Sequence, residues 1–270
     1  MRSLIDVRDV KLGVTDVGSG PAFLWLHGGF ASRARDEAHP THDHDGWARL
    51  ESRFRVVRWD ARGHGESSGP DDPESYGLDN HARDELALAD ALGIDRFAVG
   101  GISMGAMTAI HVALLAPERV AALVLMLPGA LDMRPMQEAN AATAALVEER
   151  GLAAFEEGIK RLPVPLPLAH DPALFHAGFV PDVNETLVPA MLRGTTATKR
   201  PDDEQLAAIE APTLILAWDG DVLHPLSSAE RLAELIPRAE LNVAHEFDDF
   251  AAWLDVIESF LSRASSEKGE

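Results

Sequence analysis

Phe97-Ala98-Val99-Gly100-Gly101-Ile102-Ser103-Met104-Gly105 (FAVGGISMG) is the stretch on which the fold turns. Phe97 to Val99 reads as a short buried strand. Met104 to Leu115, small and apolar and halted before Pro117, reads as a helix. Between them stands Gly-x-Ser-x-Gly, the pattern of a tight strand-to-helix turn that lifts a serine Oγ above the sheet. Such a turn has no room for side chains two residues to either side of the serine. Glycine removes those Cβ atoms and lets the serine take a strained conformation. Ser103 is therefore the candidate nucleophile. The Met104 amide, at the helix N-terminus, is the first candidate donor to an oxyanion.

A second donor is needed to hold a developing oxyanion. Upstream, the apolar run Ala22 to Leu26 (AFLWL) ends in His27-Gly28-Gly29-Phe30. The glycines allow close backbone approach, and the Phe30 amide is the expected second donor. His27 is read as a ring that holds this loop, not as a base.

Outward from these motifs, short apolar runs alternate with helical patterns, as in a mostly parallel sheet covered by helices. The strands expected are 22–26, 55–59, 96–99, 120–127, 213–218 and 239–244, with an antiparallel hairpin over Leu4 to Val17. Helical spacing marks 78–92, 227–235 and 247–262. From Leu131 to Gln205 the rhythm breaks: helical pattern surrounds the proline-rich LPVPLPLAHDP, and no strand is evident. This stretch reads as a helical insertion covering the carboxyl edge of the sheet. Its apolar residues Leu166, Leu168, Phe175, Phe179 and Met191 are expected to face inward.

Composition narrows the function classes. With 46% hydrophobic residues the 270-residue chain builds a sizeable core. It has no cysteine, which removes disulfides, thiolate metal sites and a cysteine nucleophile. The net charge of −20 and the lack of a Lys/Arg cluster disfavour nucleic acid and anionic membranes as partners. The opening residues show no apolar h-region and no small-residue cleavage site, and no run reaches about 18 apolar residues, so neither a secretory leader nor a membrane-spanning helix is expected, and a cytoplasmic protein is expected. His39-Pro40-Thr41-His42-Asp43-His44-Asp45 is dense in metal-ligating types, but is read as a solvated loop with no metal.

The motifs LHGGF (26–30), WDARGHGESSGP (59–70), GGISMG (100–105) and APTLILAWDGDVLHP (211–225) occur in one order along the chain. In them the sequence resembles the α/β-hydrolase fold superfamily, most of all its bacterial esterase and enol-lactonase-like branch. The resemblance implies a mostly parallel central sheet flanked by helices, with residues 1–130 and 206–264 as core domain. It implies a helical cap over 131–205; residues 265–270 are read as a disordered tail. It makes His64 an architectural residue. It places the triad acid after the 213–218 strand, four residues before a proline, which selects Asp221 over Asp219 and leaves Asp132 as a remote alternative. It places the base beyond the last strand, where His245 stands, although Ala244 precedes it where the family has glycine. His224 is the alternative base. The activity implied is hydrolysis of carboxylic esters or lactones through an acyl-enzyme on Ser103, with Asp221, His245 and the Phe30 and Met104 amides. Its partner is a small-molecule acyl substrate, it needs no cofactor, and the chain is a monomer or homodimer. C–C bond hydrolysis or another acyl transfer on the same triad, and a non-catalytic ligand-binding protein, are the alternatives.

Overall fold

A computed structural model of the protein describes residues 1–38 and 46–266. The histidine-rich stretch 39–45 lies outside the described residues, as do residues 267–270.

Among the described residues eight strands form one sheet: β1 (Arg2–Val7), β2 (Val10–Val17), β3 (Ala22–Leu26), β4 (Arg55–Trp59), β5 (Phe97–Ile102), β6 (Val120–Met126), β7 (Thr213–Trp218) and β8 (Ala239–Ala244). Their spatial order is β1-β2-β4-β3-β5-β6-β7-β8. β1 and β2 pair antiparallel, as do β2 and β4, and every later pairing is parallel. This is the α/β-hydrolase fold.

The alternation of side chains along a strand builds the two layers of core. Leu24 and Leu26 of β3 join Val57, Trp59 and Val99 on one face, under the helices Leu78–Ala91, Met104–Leu115 and Leu226–Leu235. Phe23 and Trp25 face the other way, with Val56, Val124 and Leu216, against the helices Gly46–Arg53 and Trp253–Ser266. With both faces covered, the parallel strands read as continuous apolar runs.

From β3 the chain crosses to β4 on one side, and β5 then pairs with β3 on the other. At such a reversal the loops leaving the carboxyl ends of neighbouring strands diverge and open a crevice. The loop after β3 and the turn after β5 meet there.

Between β6 and β7 the chain runs through helices from Met133–Arg150 to Asp203–Ala207 and contributes no strand to the sheet. Its one ladder contact among the described residues is an isolated bridge from Val183 to His64. Leu168, Phe175 and Met191 are buried as expected, but Leu166 is 59% exposed. The final helical pattern is broken at Ala252 into Phe247–Ala251 and Trp253–Ser266. Ser265 and Ser266, expected in the tail, thus belong to the helix, where the Ser265 hydroxyl donates to Leu261 O at 2.8 Å.

Candidate active site

Ser103 stands between β5 and the Met104–Leu115 helix with φ 54° and ψ −109°, in the left-handed half of the map that a residue with a Cβ rarely enters. Its N–H donates to Met126 O at 2.9 Å and its C=O accepts from Met107 N at 3.0 Å. The flanking glycines are sterically required. A Cβ on Gly101 would lie 2.4 Å from Leu26 O, and one on Gly105 only 2.0 Å from it. β3 thus presses directly on the turn that displays the hydroxyl.

The loop after β7 brings two of the other groups. Asp221 Oδ1 accepts from Leu223 N at 2.7 Å and from His224 N at 3.2 Å, so the aspartate folds its own loop. Its Oδ2 faces His224 Nδ1 at 2.8 Å, and His224 Nε2 lies 2.8 Å from Ser103 Oγ. Serine, histidine and aspartate form one continuous hydrogen-bonded chain, with Asp221 and His224 both buried. Burial alone would raise the Asp221 pKa. The bond to His224, that ring's charge, and bonds from Trp218 and Leu223 outweigh it and hold the carboxyl below its ordinary value.

The expected base position is corrected by this geometry. His245 follows β8 directly and is exposed. The Asp249 carboxylate accepts from His245 N at 3.0 Å and Glu246 N at 3.1 Å, starting the Phe247–Ala251 helix at once. The place beside Ser103 Oγ is taken by His224 Nε2, and among the described residues the His245 ring makes no hydrogen bond. The shortness of the segment between β8 and Phe247 was the signal in the sequence. Asp219 is not part of the chain to Ser103; its carboxylate accepts from Gly220 N at 3.0 Å. Asp132 caps the Met133–Arg150 helix by accepting from Arg134 N at 3.2 Å.

The expected second amide donor is also corrected. Phe30 has φ 64°, and its N–H donates to His64 Nε2 at 3.2 Å. Its ring packs on Phe155 of the insertion, with centroids 4.7 Å apart. Among the described residues, no hydrogen bond is made by the Gly29 and Met104 amides, which follow β3 and β5. What hid this is that the identity of a loop's side chains does not tell which amide a neighbouring imidazole will take.

His64 and His27 are architectural. His64 Nδ1–H donates to Arg62 O at 2.9 Å, and His27 Nδ1–H to Gly28 O at 2.7 Å, while His27 Nε2 accepts from Ala61 N at 3.0 Å. Burial pushes their pKa values down to about 3 and about 4, so both rings stay neutral and serve as fixed acceptors for backbone N–H groups. Beneath them Arg62 and Asp84 form a doubly hydrogen-bonded pair, both contacts at 2.8 Å, with side chains 1% and 0% exposed.

Residues 21–180 match the family model of the α/β hydrolase fold. The chain is 33% identical over 203 residues to "Putative carbamate hydrolase RutD" of Klebsiella pneumoniae (strain 342), covering 72% of this chain and 73% of that protein. Among solved structures it superposes on a hydrolase from Pseudomonas aeruginosa PA01 with TM-score 0.78 at 27% identity, over 96% of this chain and 98% of that one. A thermophilic esterase from Thermogutta terrifontis gives TM-score 0.81 at 24% identity, over 98% and 99%. The enol-lactonase from Burkholderia xenovorans LB400 gives 0.78 at 20% identity, over 96% and 100%. The last two bear on the fold alone. The molecule is a hydrolase by its fold and relatives. The chain belongs to the α/β-hydrolase fold family.

Proposed function

We propose that this hydrolase cleaves small carboxylic esters or lactones through an acyl-enzyme on Ser103, with His224 as base and Asp221 as its partner. The observation that carries the reading is the continuous contact from Ser103 Oγ through His224 to Asp221. His224 Nε2 accepts the hydroxyl proton as Oγ attacks the substrate carbonyl carbon. The Asp221 carboxylate fixes the tautomer with the proton on Nδ1 and stabilises the imidazolium that forms. The Gly29 and Met104 amides, unspent among the described residues, supply two donors for the oxyanion. The imidazolium then protonates the leaving alkoxide as the C–O bond breaks. Water attacks the acyl-enzyme with the same ring as base, releasing the acid and restoring Ser103. Every proton moves between groups of this chain, substrate and water, and no cofactor enters. The helical stretch over 131–205 acts as a cap that shapes the substrate pocket.

A carbamate is the second substrate reading, favoured by the 33% identity to a protein named for carbamate hydrolysis. Its carbonyl is attacked in the same way, and the leaving group differs.

The test sets the two histidines against each other on a panel of short acyl esters, lactones and carbamates. His224→Ala is expected to lower kcat by about 10⁴ or more, and His245→Ala to leave it within about twofold. Ser103→Ala is expected to abolish labelling by a serine-directed fluorophosphonate. A full loss in His245→Ala with His224→Ala active would return the base to the end of β8. Stoichiometric labelling of Ser103→Ala would remove the nucleophile.

A further inference from the structure

The loop that carries Asp221 and His224 is gripped from outside by the cap. Leu166 N–H donates to Asp219 O at 3.0 Å. Gly220, at φ +80°, lies beneath the same residue: a Cβ there would stand 3.3 Å from Leu166 Cγ and 3.4 Å from Leu166 N. Pro165 and Pro167 flank Leu166 and fix their own φ, so the strap is stiff. Beyond it, Leu168 and Phe175 are buried in the same cluster as Trp218 and Phe250, which anchors the strap to the sheet. Leu166 itself is 59% exposed, so burial is no reason for its placement; its backbone is what reaches the loop.

The geometry points to Leu166 as a positioning residue: through its N–H the cap holds the Asp219–Gly220 peptide and thereby sets the approach of His224 to Ser103. This rests on the assignment of His224 as base. The cap then does more than line a pocket. A displacement of the strap releases the peptide before Asp221, and acid and base move together because they share one loop. A misplacement of about 1 Å at a reacting group costs on the order of 10²-fold in rate, so a modest shift suffices to silence the serine.

Leu166→Pro isolates the N–H. Pro165 has φ −57° and ψ 150°, the extended backbone that a residue before proline requires. Leu166 opens a short 3₁₀ turn, where proline is accepted. The substitution removes the donor and keeps the path of the chain. Leu166→Ala keeps the donor and removes the side chain. On the smallest ester, Leu166→Pro is expected to lower kcat about 10- to 100-fold with KM within about twofold, and Leu166→Ala to stay within about threefold. The rate of fluorophosphonate labelling of Ser103 is expected to fall in parallel. In a His224→Ala background the same proline is expected to change that labelling rate by less than about twofold, because the group it positions is gone. A native-like kcat in Leu166→Pro overturns the inference, and so does an equal loss in the His224→Ala background. If Leu166→Pro does not fold, Gly220→Ala, strained by the φ of +80° and crowding Leu166 Cγ at 3.3 Å, so that the same contact shifts by a few tenths of an ångström, is judged by the same criteria. An unchanged kcat in His224→Ala alone would instead remove the base assignment on which the inference stands.

Discussion

Trp218, the last residue of β7, donates its indole N–H to Asp221 Oδ2 at 2.7 Å, the oxygen that faces His224. The carboxylate is thus held from the sheet on one side and by the histidine on the other. Trp218→Phe keeps an aromatic ring against Phe250 and Trp253 and deletes this one donor. A hydrogen bond to a charged group is worth about 1.5–3 kcal/mol, so the variant is expected to lose about tenfold or more in kcat. The Asp221 pKa is depressed in the folded protein. Its contribution to stability is therefore present above the unfolded value of about 3.9 and is lost as pH falls through the lower folded value. The difference in thermal midpoint between native and variant is expected to narrow below about pH 4. A gap independent of pH would show that packing, not charge, was lost.

Asp221 and Asp219 separate by substitution. Asp221→Asn leaves His224 without the acceptor that fixes its tautomer and is expected to cost up to about 10⁴ in kcat. Asp219→Asn disturbs only an oxygen that accepts from Gly220 N and is expected to cost less than about threefold. Steady-state kinetics on one ester settles it, and a larger loss from Asp219→Asn would reverse the assignment.

Glu85 predicts a pH-dependent stability unrelated to the serine. Burial pushes its pKa up to about 8, against a hydrogen bond from Trp59 that acts to lower it. The folded state therefore holds a proton that the unfolded chain releases near pH 4.3. Stability is expected to fall as pH rises from about 4.5 to 8, by up to about 1.4 kcal/mol per unit from this group. Glu85→Gln should flatten that decline in urea titrations taken across the range. The same slope in native protein and variant would place the proton elsewhere.

Gly105→Ala tests the pressure of β3 on the serine turn. With its Cβ 2.0 Å from Leu26 O, backbone must move, at an expected cost of about 3 kcal/mol or more. Gly158→Ala meets nothing within 4 Å and is expected to hold or raise stability slightly, as glycine-to-alanine changes in helices do. Chemical denaturation of the pair gives the comparison directly.

The strand pattern was readable because each buried strand is an apolar run bounded by turn residues. AFLWL and TLILAW coincide with β3 and β7. The serine turn was readable because its glycines are demanded by sterics that leave no substitute. The base was not, because a histidine's position along the chain says nothing about where its ring points. Two candidates lay in loops at the same edge of the sheet. What separates them is chain length: Asp249 caps a helix that begins two residues after His245, whereas the Asp221 loop wraps His224 back onto its own carboxylate. The Phe30 amide eludes the sequence for a related reason, since it is claimed by His64, far away in sequence.

Asp221 and His224 lie three residues apart, which changes when the pair can assemble. An acid on this loop paired with a histidine at position 245 must close a segment about three doublings longer, at roughly 0.6 kcal/mol of chain entropy for each doubling. Here that closure is local, and the pair can form as soon as β7 docks, before β8 and the terminal helix have found their places. Acid and base then stay in register without a bond to any residue after β8, and the terminal helix reaches them only through the packing of Trp253 on Trp218. The end of the chain is correspondingly free to change in length without reaching the nucleophile.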